Sequence, residues 1–228
     1  MRVVVMGGTS GIGRATALQQ AAAGAEVIVT GRDEQKLAAI RGQVAAAERV
    51  DGTDEAAVAA FFDRTGPVDH LVLAFSPGAV GLGPLAGTDM AGIRAAFDGK
   101  LFPYLFAIKH ARVTGSVTMI SALSARAAIP GSAVLAAVNG AIERMVSPLA
   151  SELAPLRVNA VSPGVIDTAW WSFLPDEQRE AQFAEATKTI PAGRVGTADD
   201  VAAAVGYLIG ADYVTGKVLP VDGGATVA

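Results

Sequence analysis

The chain contains 228 residues, of which 51% are hydrophobic and 6% aromatic, and carries a net charge of −4 with no cysteine. A chain of this length is expected to form one domain with a sizeable core, and the lack of cysteine excludes disulfides and thiolate chemistry. The acidic balance gives no reason to expect a nucleic-acid partner. Met1 leads directly into a strand pattern and no uninterrupted apolar stretch approaches about 18 residues, so we predict a cytoplasmic protein that binds no membrane.

Strand and helix patterns alternate along the first half of the chain. Gly24 is a candidate helix stop, and Thr53 or Asp54 is a candidate helix cap. The predicted strands are 2–6, 26–30, 47–50 and 69–75, and the predicted helices are 12–23, 34–42 and 54–64.

The second half continues the alternation with longer helices. Thr88 is predicted to cap a long helix bent at Pro103, and a second long helix starts at Ser132. Their apolar stripes are Ile93, Phe97, Leu101, Leu105 and Ile108, and Val134, Val138, Ile142, Met145, Leu149 and Leu153. The other predicted elements are strands at 115–121, 157–161 and 217–221 and a helix at 199–210. The repeating unit predicts an α/β fold, a doubly wound parallel sheet of about seven strands with helices on both faces.

The first strand runs into a glycine-rich turn and then a helix, an arrangement that binds a dinucleotide. Gly7 allows a sharp reversal, Gly11 a close approach to a pyrophosphate, and Gly13 tight packing of helix on strand. The N–H groups and partial positive charge at the helix N-terminus then face the phosphates. Ligands of such sheets bind at the carboxyl edge, so the irregular stretch 167–194, with its two tryptophans, is a candidate substrate lid.

The spacing Gly-x-x-x-Gly-x-Gly from Gly7 resembles that of the short-chain dehydrogenases/reductases, and the resemblance covers essentially the whole chain. Asp51 matches the family's acidic residue near the adenine, and residues 157–168 resemble its Pro-Gly segment over the nicotinamide. Residues 213–216 and 221–224 resemble its C-terminal signature. The resemblance implies a single-domain Rossmann fold, a small-molecule substrate and a homo-oligomer, either a dimer or a tetramer. It implies cofactor contacts at Gly7, Thr9, Ser10, Gly11, Ile12, Gly13, Arg32, Asp51, Gly52, Ala74, Asn139, Pro163, Gly164, Ile166 and Thr168.

The end of the second strand predicts which dinucleotide binds. A carboxylate there would bond the ribose 2′-hydroxyl and repel a 2′-phosphate, whereas this chain has Gly31 and Arg32. Gly31 leaves room, and the Arg32 guanidinium can pair with the phosphate through a forked, charge-assisted contact. We therefore predict NADP(H) rather than NAD(H), with a merely solvated arginine as the alternative.

The residues that normally carry the family's reaction are changed at all four standard positions. The family uses a Tyr-x-x-x-Lys pair together with a serine and an asparagine. Alignment places Leu135 at the tyrosine, Asn139 at the lysine, Ala122 at the serine and Lys100 at the asparagine. The Asn-Asn-Ala-Gly loop after the fourth strand also reads Leu73-Ala74-Phe75-Ser76 here.

Lysine and asparagine are thus exchanged between the two long helices. If Lys100 and Asn139 meet in the pocket, Asn139 could bond the cofactor ribose and Lys100 could supply a cation near the nicotinamide. The alternative is a solvated Lys100 and an Asn139 that only fills space. Ser121 and Ser124, beside the vacated serine position, are further catalytic candidates, with loop or cap hydroxyls as the alternative. Strand alternation is expected to turn Ser121 away from the side that Ala122 faces.

Three functions stay open. The preferred one is an NADP(H)-dependent oxidoreductase with a nonstandard active site that acts on a small organic carbonyl, enone or imine, since hydride transfer mainly needs nicotinamide and acceptor held in line. The others are an inactive NADP(H)-binding sensor or structural subunit, and a non-redox enzyme such as a dehydratase or isomerase. Tyr104 is interpreted as packing on a helix face, and His70 and His110 lack the carboxylate neighbours of a metal site, so no metal is predicted.

Overall fold

Residues 1–227, which the computed structural model describes, form a seven-stranded parallel sheet between two layers of helices. In chain order the strands are β1 (Arg2–Met6), β2 (Glu26–Gly31), β3 (Ala46–Arg49), β4 (Val68–Leu73), β5 (Val113–Ile120), β6 (Arg157–Pro163), β7 (Ile166–Asp167), β8 (Gly196–Thr197) and β9 (Val218–Val221). The helices are α1 (Gly11–Ala22), α2 (Glu34–Ile40), α3 (Glu55–Thr65), α4 (Met90–Asp98), α5 (Leu101–His110), α6 (Ala133–Glu152), α7 (Asp176–Thr189) and α8 (Ala198–Gly210). The sheet order is β3-β2-β1-β4-β5-β6-β9, while β7 and β8 pair with each other. The predicted doubly wound α/β fold is confirmed.

The central strand β1 is apolar throughout because both faces of the sheet are covered. Val4 and Met6 are fully buried in the cluster that includes side chains of α3, α5 and α6. Val3 and Val5 are equally buried on the opposite face, against α1, α2 and α8. Across residues 1–227, none of the helices combines the length and apolar character that a membrane crossing needs.

The long helix predicted from Thr88 is in fact two helices, and its predicted cap and bend are both wrong. The Asp89 carboxylate caps α4 by accepting from a main-chain N–H, whereas the Thr88 hydroxyl donates to the carbonyl of residue 84. The break falls at Gly99 and Lys100, where the backbone of Lys100 (φ −139°, ψ −58°) leaves the helical region. Pro103 lies in the first turn of α5, where a helix has no use for its missing N–H.

The stretch 167–194 is more regular than its sequence suggests. A 3-10 turn at Ala169–Phe173 leads into the 14-residue helix α7. No residue of α7 is buried, so it has no apolar stripe by which a helix can be recognised in a sequence. Trp170 and Trp171 pack edge to face with ring centroids 4.9 Å apart, and Trp171 donates its indole N–H to the carbonyl of Ile166 at 2.9 Å.

Candidate functional site

Two cavities lie along the carboxyl edge of the sheet. The larger, of about 710 Å³, runs from the turn after β1 past the ends of β4, β5 and β6 to the tryptophans at 170 and 171. The smaller, of about 210 Å³, lies between the turn, the end of β2 and the loop before α3. This edge is where ligands bind in sheets of this topology.

The glycine-rich turn has the close contacts that its sequence predicts. Gly7 has a positive φ of 78°, and a Cβ there would lie 2.7 Å from the carbonyl oxygen of Ala74. A Cβ on Gly13 would lie only 2.3 Å from the carbonyl oxygen of Gly7. The turn, the start of α1 and the chain after β4 are therefore packed backbone to backbone.

Replacing Gly13 with alanine is expected to lower the free energy of unfolding by about 3 kcal/mol, because the new methyl group meets main-chain atoms that cannot yield. Gly140 is the matched control, since it also lies within a helix but has no atom within 4 Å of its would-be Cβ. Gly140→Ala should raise stability by about 0.5–1 kcal/mol. Urea unfolding of both variants measures the difference, and equal effects would contradict the packing described.

Every residue predicted to contact a cofactor lines one of the two cavities. The larger is lined by Ser10, Gly11, Ile12, Gly13, Ala74, Asn139, Pro163, Gly164, Ile166 and Thr168. The smaller is lined by Gly7, Thr9, Ser10, Arg32, Asp51, Gly52 and Ala74. Burial alone would raise the pKa of Asp51, but hydrogen bonds from the N–H and hydroxyl of Thr53 and the charges of Arg32 and Arg49 outweigh it, so the net pKa is lowered. Asp51 is thus a carboxylate that can accept hydrogen bonds at neutral pH.

Lys100 and Asn139 meet in the wall of the larger cavity. The Lys100 amine donates to Asn139 Oδ1 at 2.7 Å and to the main-chain oxygen of Ser121 at 3.3 Å. The Asn139 amide nitrogen donates to the Leu135 carbonyl at 2.9 Å and to the Ser124 hydroxyl at 3.2 Å. Lys100 is 8% exposed and Asn139 is 2% exposed, so the alternative of a solvated Lys100 is wrong.

Burial governs the protonation of Lys100. Its partners are an amide oxygen and a carbonyl oxygen, and burial lowers its pKa to about 7. Among the described residues lining the larger cavity, the one other titratable side chain is Lys36, an exposed residue of α2. Lys100 is therefore the buried group of this cavity that can gain or lose a proton near neutrality.

The structure separates the two serine candidates. The Ser121 hydroxyl donates to Glu143 Oε1 at 2.7 Å, while the Ser121 carbonyl oxygen accepts the hydrogen bond from the Lys100 amine. Glu143 also receives the guanidinium of Arg126 at 2.8 Å. Ser124 lies in the loop after β5 and contacts Asn139 directly.

Comparisons with known proteins agree with this geometry. Residues 7–226 match a family model described as Enoyl-(Acyl carrier protein) reductase. A glucose 1-dehydrogenase of Gluconobacter oxydans is 32% identical, over 99% of this chain and 92% of its own. A 1-cyclohexenylcarbonyl-CoA reductase of Streptomyces collinus is 30% identical, over 98% of this chain and 86% of its own. The solved structure of a small-chain dehydrogenase in complex with NADPH has a TM-score of 0.87 and 32% identity, covering 100% of this chain and 99% of that one. The chain belongs to the short-chain dehydrogenase/reductase family.

The protein is thus a short-chain dehydrogenase/reductase by family, and its class of chemistry is oxidoreduction with NAD(P)(H). Lys100 and Asn139, the two residues that the sequence alignment predicts to be exchanged relative to the family, are in direct contact. Glu143 is a residue that sequence reasoning missed. The available signal was its place four residues after Asn139, on the same face of α6.

Tyr104 and the histidines of this short-chain dehydrogenase/reductase lie outside the site. Tyr104 is fully buried, lines neither cavity and donates its hydroxyl to the Ile120 carbonyl at 2.9 Å, and burial raises its pKa, in agreement with a packing role. His70 contacts Ser116, and His110 contacts Glu55. Within residues 1–227 no group of histidines and carboxylates is placed to hold a metal ion.

Proposed function

We propose that this protein is an NADP(H)-dependent oxidoreductase that acts on a small organic carbonyl, enone or imine, with Lys100 as the residue beside the reacting atoms. The observation that carries the proposal is the contact between Lys100 and Asn139 in the wall of a cavity that begins at the glycine-rich turn. The contact keeps an ionisable amine in the pocket of a chain that, by our alignment, lacks the usual Tyr-x-x-x-Lys pair.

Each polar residue of the site has a proposed role. NADP(H), when bound, supplies or accepts the hydride. Lys100 hydrogen-bonds the acceptor and moves a proton, for which a pKa of about 7 suits neutral pH. Asn139 holds the lysine amine through Oδ1, and Ser124 holds the Asn139 amide in turn. The Ser121 carbonyl steadies the amine from the end of β5.

The proposed preference for NADP(H) rests on the mouth of the smaller cavity. Arg32 and Lys36 both line it, and Gly31 fits against Thr9 without a side chain. The nearby Asp33 carboxylate accepts from two main-chain N–H groups at the start of α2, which holds it at the helix cap. Support also comes from the NADPH complex of the structural relative.

Replacing Arg32 with alanine is expected to weaken NADPH binding by about 10–100-fold, because a charge-assisted contact contributes about 1.5–3 kcal/mol. Binding of NADH, which lacks the 2′-phosphate, should change little. Arg64→Ala, at an exposed arginine of α3, is the matched control. Titration of intrinsic fluorescence with both dinucleotides gives the affinities, and a parallel loss of NADH and NADPH affinity would refute the role of Arg32.

The proposed acceptor is apolar or aromatic. The larger cavity is lined from the segment 167–194 by Trp170, Trp171, Phe173 and Leu174. We propose this segment as a lid within a single dinucleotide-binding domain.

A cytoplasmic homo-oligomer is part of the same proposal. Two apolar side chains of α5 support the homo-oligomer, since Phe102 and Leu105 are exposed by 42% and 39% and are suited to a subunit contact.

The test of the proposal is NADPH oxidation followed at the nicotinamide absorbance with cyclic ketones, enones and imines as separate acceptor classes. Turnover with at least one class is the expected result. NADPH binding with no oxidation by any class would instead favour a binding protein without turnover, a function to which Leu135 at the tyrosine position lends support.

A further inference from the structure

We propose that Lys100 acts as a nucleophile and forms a Schiff base with its carbonyl substrate inside the larger cavity. The inference rests on the proposed function and names its substrate class, the α,β-unsaturated aldehydes and ketones. It is carried by the surroundings of the amine.

Within the part of the chain that the structure describes, the hydrogen-bond partners of the Lys100 amine are neutral groups. Asn139 Oδ1 and the Ser121 carbonyl oxygen accept its hydrogen bonds, and Leu135 and Val138 line the same cavity. The carboxylate facing this region from α6 is Glu143, which the Ser121 hydroxyl and the Arg126 guanidinium bind instead. An amine without a carboxylate partner is not held in its charged form, and the pKa of about 7 leaves it largely unprotonated above neutrality.

The covalent step is a condensation with loss of water. The nitrogen lone pair of Lys100 bonds to the carbonyl carbon, and the π electrons of the C=O bond move to oxygen. Proton transfer from nitrogen to oxygen gives a carbinolamine. Its hydroxyl takes up a proton from solvent and leaves as water, which gives a positively charged C=N bond on Lys100. Carbon keeps its oxidation state, so the step needs no oxidant or reductant.

The Schiff base answers a problem that the missing tyrosine creates. Because the substrate oxygen leaves as water, no acid is needed to protonate an alkoxide when hydride arrives. Hydride added at the C=N carbon would leave a stable amine on the enzyme, whereas addition at the β carbon of a conjugated substrate gives an enamine. That enamine takes up a proton from solvent at the α carbon, and addition of water to the resulting C=N bond returns Lys100, a proton and a saturated carbonyl product. Conjugated acceptors are therefore the productive class.

The test is reductive trapping of the full chain without cofactor. The probe is benzaldehyde with sodium cyanoborohydride at pH 7, which converts a Schiff base into a benzyl amine that peptide mass spectrometry locates. The chain has no cysteine, so no thiol competes for the aldehyde. We expect Lys100 to be labelled about tenfold or more faster than Lys109, an exposed lysine of α5 that pairs with Glu55. Labelling at Lys100 should also accelerate as the pH rises through 7.

Two variants make the result decisive. Lys109→Met should keep the label at Lys100, whereas Lys100→Arg, which preserves the cation, should lose it. Labelling of Lys100 no faster than that of Lys109 overturns the Schiff base. So does enone reduction by Lys100→Arg at the wild-type rate, an outcome that would leave the proposed oxidoreductase standing. Trapping at Lys100 without NADPH oxidation by any acceptor supports the nucleophile and contradicts the proposed function.

Discussion

Replacement of Lys100 with methionine is expected to lower the rate of NADPH oxidation by about 10²–10⁴-fold, the usual contribution of a positioned acid or base. Methionine replaces the lysine side chain as far as Cε and suits a buried site, but it has no ionisable group and cannot donate a hydrogen bond to the acceptor. The cofactor contacts at the glycine-rich turn and at Arg32 lie elsewhere along the cavities. Binding of NADPH should therefore change little, so that the loss appears in kcat rather than in the affinity for the dinucleotide.

Lys109→Met is the matched control, since Lys109 lies on α5 with an exposed side chain and lines neither cavity. Its turnover should equal that of the wild type. Asn139→Ala should show an intermediate loss, because it removes the acceptor that positions the amine but leaves the amine itself. Wild-type turnover by Lys100→Met would remove Lys100 from the mechanism and move attention to Ser124 or a water molecule.

The sequence predicts this fold well where local patterns determine the structure. The apolar run of β1 and the glycine spacing after it are set by contacts between near neighbours in the chain, and both are found as predicted. The contact of Lys100 with Asn139 joins residues 39 positions apart in the chain. The sequence alone therefore leaves open whether the two side chains meet or Lys100 is solvated. The contact depends on the helix break at Gly99, which places Lys100 outside the regular helix. The sequence instead predicts a bend at Pro103, four residues after Gly99, because proline is the stronger local signal.

Other features gave no periodic signal at all. Helix α7 turns no apolar face to the core, and the Ser121 hydroxyl could be placed only once its partner Glu143 was known. The orientation of the Ser121 hydroxyl thus depends on a tertiary contact, and α7 has no buried residue that a sequence pattern could reveal. Such contacts distinguish members of one fold while the glycine turn stays the same, and a dinucleotide site is therefore easier to predict than the reaction performed there.

The pH dependence of stability should reveal the buried lysine without any measurement of activity. The pKa of Lys100 falls from 10.5 to about 7 on folding, so the unfolded chain binds more protons between these values. The free energy of unfolding of the wild type should therefore gain a contribution on the order of 3–5 kcal/mol as the pH rises from 7 to 10.5. Below pH 7 both states carry the proton and the burial penalty is present in full.

Lys100→Met removes this penalty but leaves Asn139 Oδ1 without a donor, at a cost of about 1–3 kcal/mol. The variant should thus be more stable than the wild type at pH 6, by roughly 2 kcal/mol, and less stable near pH 10. Urea unfolding at several pH values measures the difference, and subtracting the two proteins cancels the titration of all other groups. Lys109→Met should give a difference that is flat with pH. A flat difference for Lys100→Met as well would mean that Lys100 keeps its ordinary pKa in the folded protein. That result would contradict a neutral amine in this cavity.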